Sequence, residues 1–258
     1  MSDVALTFKQ LRYENRAFWR NPAAAFFTFA FPLMFMVIFN LLFGSRIIEQ
    51  EPGQRITTST FYVPAISAFS IITATFTNLA ISVSFSRDSG VLKRVRGTPL
   101  PAWVHMVGRI IHSVLLSLLL VALVTAFGAL FYDVDVPTGT MAAVLAALIV
   151  GGASFSALGL AMTAVIPNAD ASPAVVNGTI LPLLFVSDVF IPLDEAPDWL
   201  VTLGNIFPVK HLSTAMQTAF NPFTSGSGFE WGDLAVIAAW GVAGLVLAIR
   251  FFSWEPRR

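Results

Sequence analysis

Six stretches of this chain run for about twenty residues or more with almost no charge, and they restrict its fold more than any other feature. They lie at 24–44, 60–85, 102–131, 139–166, 173–192 and 233–252. Each is long enough to cross a hydrocarbon core of roughly 30 Å as a helix. The chain is 56% hydrophobic and only 12% charged, against a usual charged share of roughly 25%. A soluble domain could not hide that much apolar surface. The expectation is an all-α membrane protein with six transmembrane helices, forming a single domain over 1–258 without an internal repeat. There is no Cys, which excludes disulfides and thiol chemistry. The first apolar run begins near Ala23 behind a basic segment and lacks a small-residue cleavage site, so it reads as a retained span and not a signal peptide.

Helix punctuation supports several boundaries. Asn21-Pro22, Thr98-Pro99 and Ser172-Pro173 each read as a cap followed by a first-turn proline. Asp133, Asp135 and Pro137 mark the turn between spans three and four. Twelve cations fall on one side: Lys9, Arg12, Arg16, Arg20, Arg87, Lys93, Arg94, Arg96, Arg109, Arg250, Arg257 and Arg258. Only Arg46, Arg55 and Lys210 fall on the other, with Glu49, Glu51, Asp133, Asp135, Asp194, Glu195, Asp198, Glu230 and Asp233. The positive-inside bias places both termini in the cytoplasm. Net charge is zero, and no nucleic-acid partner is expected.

Residues 3–20 form an amphipathic segment, with Val4, Phe8, Leu11 and Phe18 at helical spacing, that reads as a helix lying in the membrane interface. It serves either as an anchor or as a lever on span one. Span one carries a stripe of Phe31, Phe35 and Phe39, with Pro32 a candidate kink. The stripe is either lipid-facing packing or an adaptable wall for an apolar substrate. Span two is polar for a membrane helix: Ser70, Thr73, Thr77 and Ser84 share a face, with Asn78 close by. Hydroxyls often bond back to their own helix, whereas Asn78 should face protein or a wet cavity.

His105, Arg109 and His112 share a face of span three without a convergent third metal ligand, so no metal site is assigned and Arg109 is expected to snorkel inward. Ala153, Ala157 and Ala161 in span four, and Ala235, Ala239 and Ala243 in span six, offer close helix packing. Span five holds Asn177 and Asp188, the latter with Lys210 as a candidate partner. The connection after it reads as two short re-entrant or outer helices, the first capped by Asp198 and the two separated by Pro208.

The segment "SRDSGVLKRVRGTPLP" carries Arg87, Lys93, Arg94 and Arg96 between spans two and three. It reads as a short helix within 87–97, capped by Asp88 and ended by Gly97 in the left-handed conformation, with a stripe of Val91, Leu92 and Val95. Topology alone needs only the charges. With the G-R of Gly108-Arg109, this segment resembles the signature after span two in ATP-binding-cassette type-2 permeases, through Arg87, Asp88, Gly90, Leu92, Thr98, Pro99 and Leu100. "FVSDVFIPLDEAPDWLVTLGNIFPVKHL" is similar to the family's second signature. Most like this chain is the bacterial antibiotic and multidrug exporter branch.

That resemblance implies a membrane subunit in a bacterial cell membrane, paired with a second permease as homodimer or heterodimer and with two cytosolic ATPases that bind ATP and Mg. It makes Arg87, Asp88, Val91, Leu92, Lys93, Arg94, Val95 and Arg96 a helix that docks on the ATPase. It makes spans one, two and five the walls of an alternating-access pathway for a hydrophobic or amphiphilic, drug-like molecule, with Phe31, Phe35, Phe39, Thr73, Thr77, Asn78, Asn177 and Asp188 as candidate lining. A lipid or lipid-linked polysaccharide is the second substrate class. Ser86 and Lys93 depart from acidic positions common in the family, and Asp188 stands where a small residue is usual. The chain has no G-x-x-x-x-G-K-[ST] loop, so it binds no nucleotide in that manner and needs no cofactor of its own. An intramembrane enzyme would need converging catalytic groups, and only Asp188 and the His105/His112 pair are at hand. A non-transporting scaffold or sensor would tolerate loss of the basic helix.

Overall fold

The computed structural model describes residues 3–43, 47–51, 54–191 and 196–255. Arg46, Asp194, Glu195, Arg257 and Arg258, with Gly44 and Pro192 at the expected span ends, lie outside the described residues. Helix α1 (Asp3–Trp19) precedes α2 (Pro22–Phe43). Asn21 separates them and caps α2, its Oδ1 accepting from the Ala24 N–H at 3.2 Å. A two-stranded antiparallel hairpin, β1 (Ile47–Glu51) and β2 (Gln54–Thr57), sets Ile48 opposite Ile56. Thr57 then caps α3 (Thr58–Ile72). A π-helical turn over Thr73–Thr77 joins α3 to α4 (Asn78–Asp88) in one continuous 31-residue span. There follow α5 (Val91–Arg96), α6 (Ala102–Phe131), α7 (Met141–Met162) and α8 (Ser172–Phe185). The chain ends with α9 (Asp198–Gly204), α10 (Pro208–Phe220) and α11 (Trp231–Phe251).

Among the described residues five helices, not six, are long and apolar enough to cross a membrane: Pro22–Phe43, Thr58–Asp88, Ala102–Phe131, Met141–Met162 and Trp231–Phe251. The expected span at 173–192 makes only the 14-residue α8, about 21 Å at 1.5 Å per residue. Its apolar composition continues past the helix, but its backbone does not. Asp188 is left-handed at φ 53°, and its carbonyl accepts from Gln217 Nε2 at 2.9 Å and Ser213 Oγ at 3.1 Å on α10. The Tyr62 hydroxyl donates to the Phe190 carbonyl at 3.3 Å. Those side chains satisfy backbone groups that a longer helix would have satisfied itself.

The accessory elements also differ from expectation. The first helix is not a free interfacial helix but runs along the start of α6. Gln10 and Leu11 press on Gly108, where an added Cβ would meet Gln10 Cγ at 2.6 Å. Glu14 pairs with Arg109, and Phe18 lies 5.8 Å from the His112 ring. Val4 and Phe8, at 66% and 68% exposure, remain outside that contact. Helix α10 is not an outer element either: Val209, Leu212, Ser213, Ala215, Met216, Ala219 and Phe220 are buried against the bundle. Asp198 does not cap α9 as expected: it is the first helical residue, and Pro197 stands at the cap position without a side-chain hydrogen bond.

Helix α3 is the axle of the bundle, with nearly every residue from Thr58 to Ile72 buried. Hydroxyls of α3 and the π turn after it return to their own span: Ser67 to the Val63 carbonyl, Ser70 to Ile66 and Thr75 to Ile71. Burial inside protein, not contact with lipid, explains the polarity of this span. Asn40 ties α2 to it, accepting from Ser59 Oγ and donating to the Met36 carbonyl.

Helix α11 packs on α7 through Leu234, Ile237, Gly241, Gly244 and Ala248. A Cβ on Gly244 would lie 2.9 Å from the Leu158 backbone nitrogen, so the helices meet at backbone distance. The expected alanine stripe of Ala235, Ala239 and Ala243 is exposed instead, whereas Ala157 is buried in the contact.

Side-chain contacts sort the bundle into two ends. Glu14, Ser86, Arg109, the 163–169 turn and Trp254 gather at the basic end, which therefore holds both the first helix and the residues just after α11. The Thr140 hydroxyl on the Ala219 carbonyl and the His211–Asp233 pair mark the acidic end.

Candidate functional site

A half-open cavity of about 480 Å³ lies between α2, the α3–α4 span and α8. Its shape originates at the π turn. The Asn78 N–H reaches back five residues to the Thr73 carbonyl, and the wider turn places Thr73, Thr77 and Asn78 together in the lining. On the opposite side α7 comes so close that a Cβ on Gly159 would stand 2.8 Å from the Phe76 carbonyl oxygen. Thr73 bonds to the Phe69 carbonyl at 2.9 Å. The Thr77 hydroxyl is buried without a partner among the described residues, a cost that a ligand at the cavity wall would relieve.

Aromatic rings form the rest of the wall. Phe35 lies 5.5 Å from both Phe69 and Phe190, which are themselves 5.5 Å apart, and Phe31 lies 5.7 Å from Phe35. These offset and edge-on contacts are the favoured geometries for aromatic pairs. Of the candidates drawn from sequence, Phe31, Phe35, Thr73, Thr77, Asn78 and Asn177 line this cavity. Phe39 does not; it stacks on Tyr62 at 4.8 Å, past the cavity's end. Asp188 stands behind the wall, its carboxylate 4.0 Å from Lys210 Nζ, in the turn that delivers Phe190. Phe69, Phe190, Thr28 and Ile180 also line the cavity and were not singled out by the sequence reading. Phe69 lies one turn before Thr73 on the same face, so extending that polar stripe would have found it. Phe190 sits in irregular chain, where helical periodicity gives no signal.

The basic segment is arranged differently from its sequence reading. Helix α5 spans only Val91–Arg96, while Arg87 and Asp88 close α4. The left-handed residue is Gly90 at φ 72°, before the helix, and Gly97 is right-handed at φ −78°. Asp88 caps no part of α5: its Oδ1 takes Arg87 Nε at 3.0 Å, and its Oδ2 takes the Ala169 N–H. Arg87 is 1% exposed and donates to the carbonyls of Thr163 and Ile166, both at 3.0 Å, and of Pro167 at 3.4 Å. Leu92, at 0% exposure, faces inward against Leu79, Val83, Leu160 and Ala248. Lys93, Arg94 and Arg96 are exposed, with Val91 and Val95 half-buried beside them.

Arg109 does not snorkel: its Nε pairs with Glu14 Oε1 at 3.1 Å, and Nη2 donates to Ser86 Oγ at 2.9 Å. His105, buried against Trp254 at 6.3 Å, and His112 meet no third ligand, and among the described residues no cluster of His, Asp or Glu could hold a metal.

Comparison with known proteins places this architecture. Residues 7–221 match the family described as ABC-2 type transporter. The daunorubicin resistance ABC transporter permease protein DrrB1 of Streptomyces coeruleorubidus is 25% identical over 83% of this chain and 74% of its own length. The putative transport permease ycf38 of Porphyra purpurea is 26% identical over 84% of this chain and 76% of its own. The inner membrane transport permease YadH of Escherichia coli K12 is 24% identical over 85% and 80%. Permease domains of this kind carry no ATP-binding motif and work with separate ATPase subunits. The chain thus belongs to the ABC-2 type transporter family, as a multi-pass membrane permease subunit.

Proposed function

We propose that this permease exports a hydrophobic or amphiphilic small molecule of drug or antibiotic type. One observation carries the reading: the half-open cavity of about 480 Å³, walled by Phe27, Phe31, Phe35, Phe69 and Phe190 with only a few polar groups. Sites of roughly 300–1,000 Å³ with apolar walls and a small polar set are those that take drug-sized ligands. A lipid or lipid-linked polysaccharide is the competing class.

In this reading the basic end faces the cytoplasm of a plasma membrane, with both termini on that side, because α8, α9 and α10 take the chain from the 163–169 turn to the acidic end without a sixth long helix. Lys93, Arg94 and Arg96 then meet an acidic surface on one of two ATPases, and a second permease copy or relative completes the pathway. Arg87, Asp88 and Leu92 hold the docking helix instead of touching the partner.

The test is ATPase stimulation of the reconstituted complex across a panel of apolar drugs and lipids. Stimulation by drug-sized amphiphiles, with the half-maximal concentration raised about tenfold by Phe35→Ala, is expected. Stimulation by lipid-linked polymers alone would sink the proposal.

A further inference from the structure

We propose that the phenylalanine cavity has a polar annex, and that the two together take an amphiphile whose head presents a neutral, hydrogen-bond-accepting oxygen such as a carbonyl or hydroxyl. The inference rests on the export reading above and names the substrate class within it. A pocket of about 260 Å³ lies toward the basic end, between α1, α4 and α6. Ala24 and Asn78 line both spaces, so the two meet at that point. The first space is mainly apolar, with Thr28, Thr73, Thr77, Asn78 and Asn177 as its polar members. The second is walled by Glu14, Asn21, Ser82, Ser86, Arg109 and His112.

Arg109 gives the annex its chemistry. The residue is 8% exposed, and its Nε and Nη2 are occupied by Glu14 and Ser86. Its Nη1 is buried without a partner among the described residues. A buried guanidinium N–H left unpaired is costly, and an acceptor oxygen delivered to it recovers a charge-assisted hydrogen bond. Thr77, whose hydroxyl is likewise buried and unpartnered, precedes Asn78 at the junction. An unpartnered buried donor therefore belongs to the lining of each of the two adjoining spaces.

The head is neutral because Glu14 already balances Arg109 at 3.1 Å. A carboxylate or phosphate would place a second anion beside one cation that is itself buried, where desolvation is not repaid. This distinguishes the expected ligand from an anionic phospholipid.

Three probes with one body separate the terms: butylpyrene, the methyl ester of pyrenebutyric acid, and the free acid. Their binding by fluorescence is measured on the complete complex in nanodiscs. Glu14→Gln/Arg109→Gln removes both charges at once, so no unpaired ion is left behind. We expect it to lower the ester-to-butylpyrene affinity ratio about tenfold while butylpyrene itself binds as before. Glu14→Gln alone leaves Arg109 unbalanced and should raise the affinity for the free acid about tenfold; this single variant decides the matter if the double variant does not assemble. Ratios unmoved by the substitutions overturn the annex but leave the cavity standing. Butylpyrene binding unaffected by Phe35→Ala removes the cavity reading itself, whatever the ratios show.

Discussion

Replacing Arg87 by Met separates two roles that its sequence position allows, docking on an ATPase and holding the membrane domain together. Arg87 is buried and bonds three backbone carbonyls in the 163–167 turn as well as Asp88. Methionine fills similar volume but leaves those carbonyls and the Asp88 Oδ1 without their donor, while Oδ2 keeps the Ala169 N–H. Each hydrogen bond to a charged group contributes about 1.5–3 kcal/mol, but such terms do not sum independently. Removing one partner of a buried pair costs about 3–5 kcal/mol. Asp88 keeps 22% of its side-chain surface exposed and so regains some hydration, which puts the loss near the lower bound, about 3 kcal/mol. The purified variant should unfold earlier in detergent, and amide exchange should rise over residues 163–171 and the first turn of α8. Arg87→Lys, which cannot span three carbonyls at once, should fall between the two. Wild-type stability and protection in Arg87→Met, combined with lost ATPase binding, would refute this reasoning and return Arg87 to the docking surface.

Arg94→Glu and Arg96→Glu, on exposed positions, should abolish co-purification with the ATPase while the unfolding midpoint stays within error of wild type; a destabilised permease would contradict the placement. Leu92→Ala should behave oppositely, costing about 2–5 kcal/mol in stability through the cavity it leaves, as read by thermal unfolding. Gly244→Leu would drive a side chain into the Leu158 backbone of α7 and should lower the midpoint sharply, whereas Ala239→Leu on the open face of α11 should not; equal effects would show that the α7–α11 contact is misassigned. Asp188→Ala forces a Cβ-bearing residue without a polar side chain into a left-handed position and loses the Lys210 pair, so about 1–3 kcal/mol is expected. Asp188→Gly, which removes the backbone strain, should recover part of it in the same unfolding measurement.

Hydropathy makes the long helices legible because a run without charge has few alternatives to crossing the membrane. Asn21 is legible as a cap for the same local reason. At 173–192 that logic fails, since apolarity says where a segment is buried and not whether it is helical. There the backbone is satisfied by Ser213 and Gln217, residues far along the chain that no local pattern links to Asp188. The alanine stripe of α11 fails by helix rotation: two faces carry small residues, and only the shape of α7 selects Gly241 and Gly244 over Ala239 and Ala243. The cavity lining is partly legible because Asn and clustered Thr are rare in spans and must find protein or water. Phe190 is not, because it depends on the turn at Asp188. The hairpin at 47–57 escapes because both strands are short and one carries charges at alternate positions, which in sequence resembles a loop.

The basic segment shows why charge and side-chain direction have to be read together. Val91, Leu92 and Val95 look like one apolar knob, yet only Leu92 is fully buried, with Val91 and Val95 half-buried. Leu92 is sunk among α4, α7 and α11, while the cations point away from that contact. Just before it, Arg87 and Asp88 clamp the turn from which α8 starts, and α8 is a wall of the cavity. In the proposed exporter, an ATPase that moves α5 therefore moves a rigid joint made of the α4 end, the 163–169 turn and the α8 start. Packed side chains and hydrogen bonds transmit such a displacement only if the joint has two arrangements that the partner distinguishes by contact free energy. The α4 end leads directly to Asn78 and the π turn, whose looser backbone bonding gives the span a place to switch between them. Both walls that meet at the cavity are thus fastened to the same short helix.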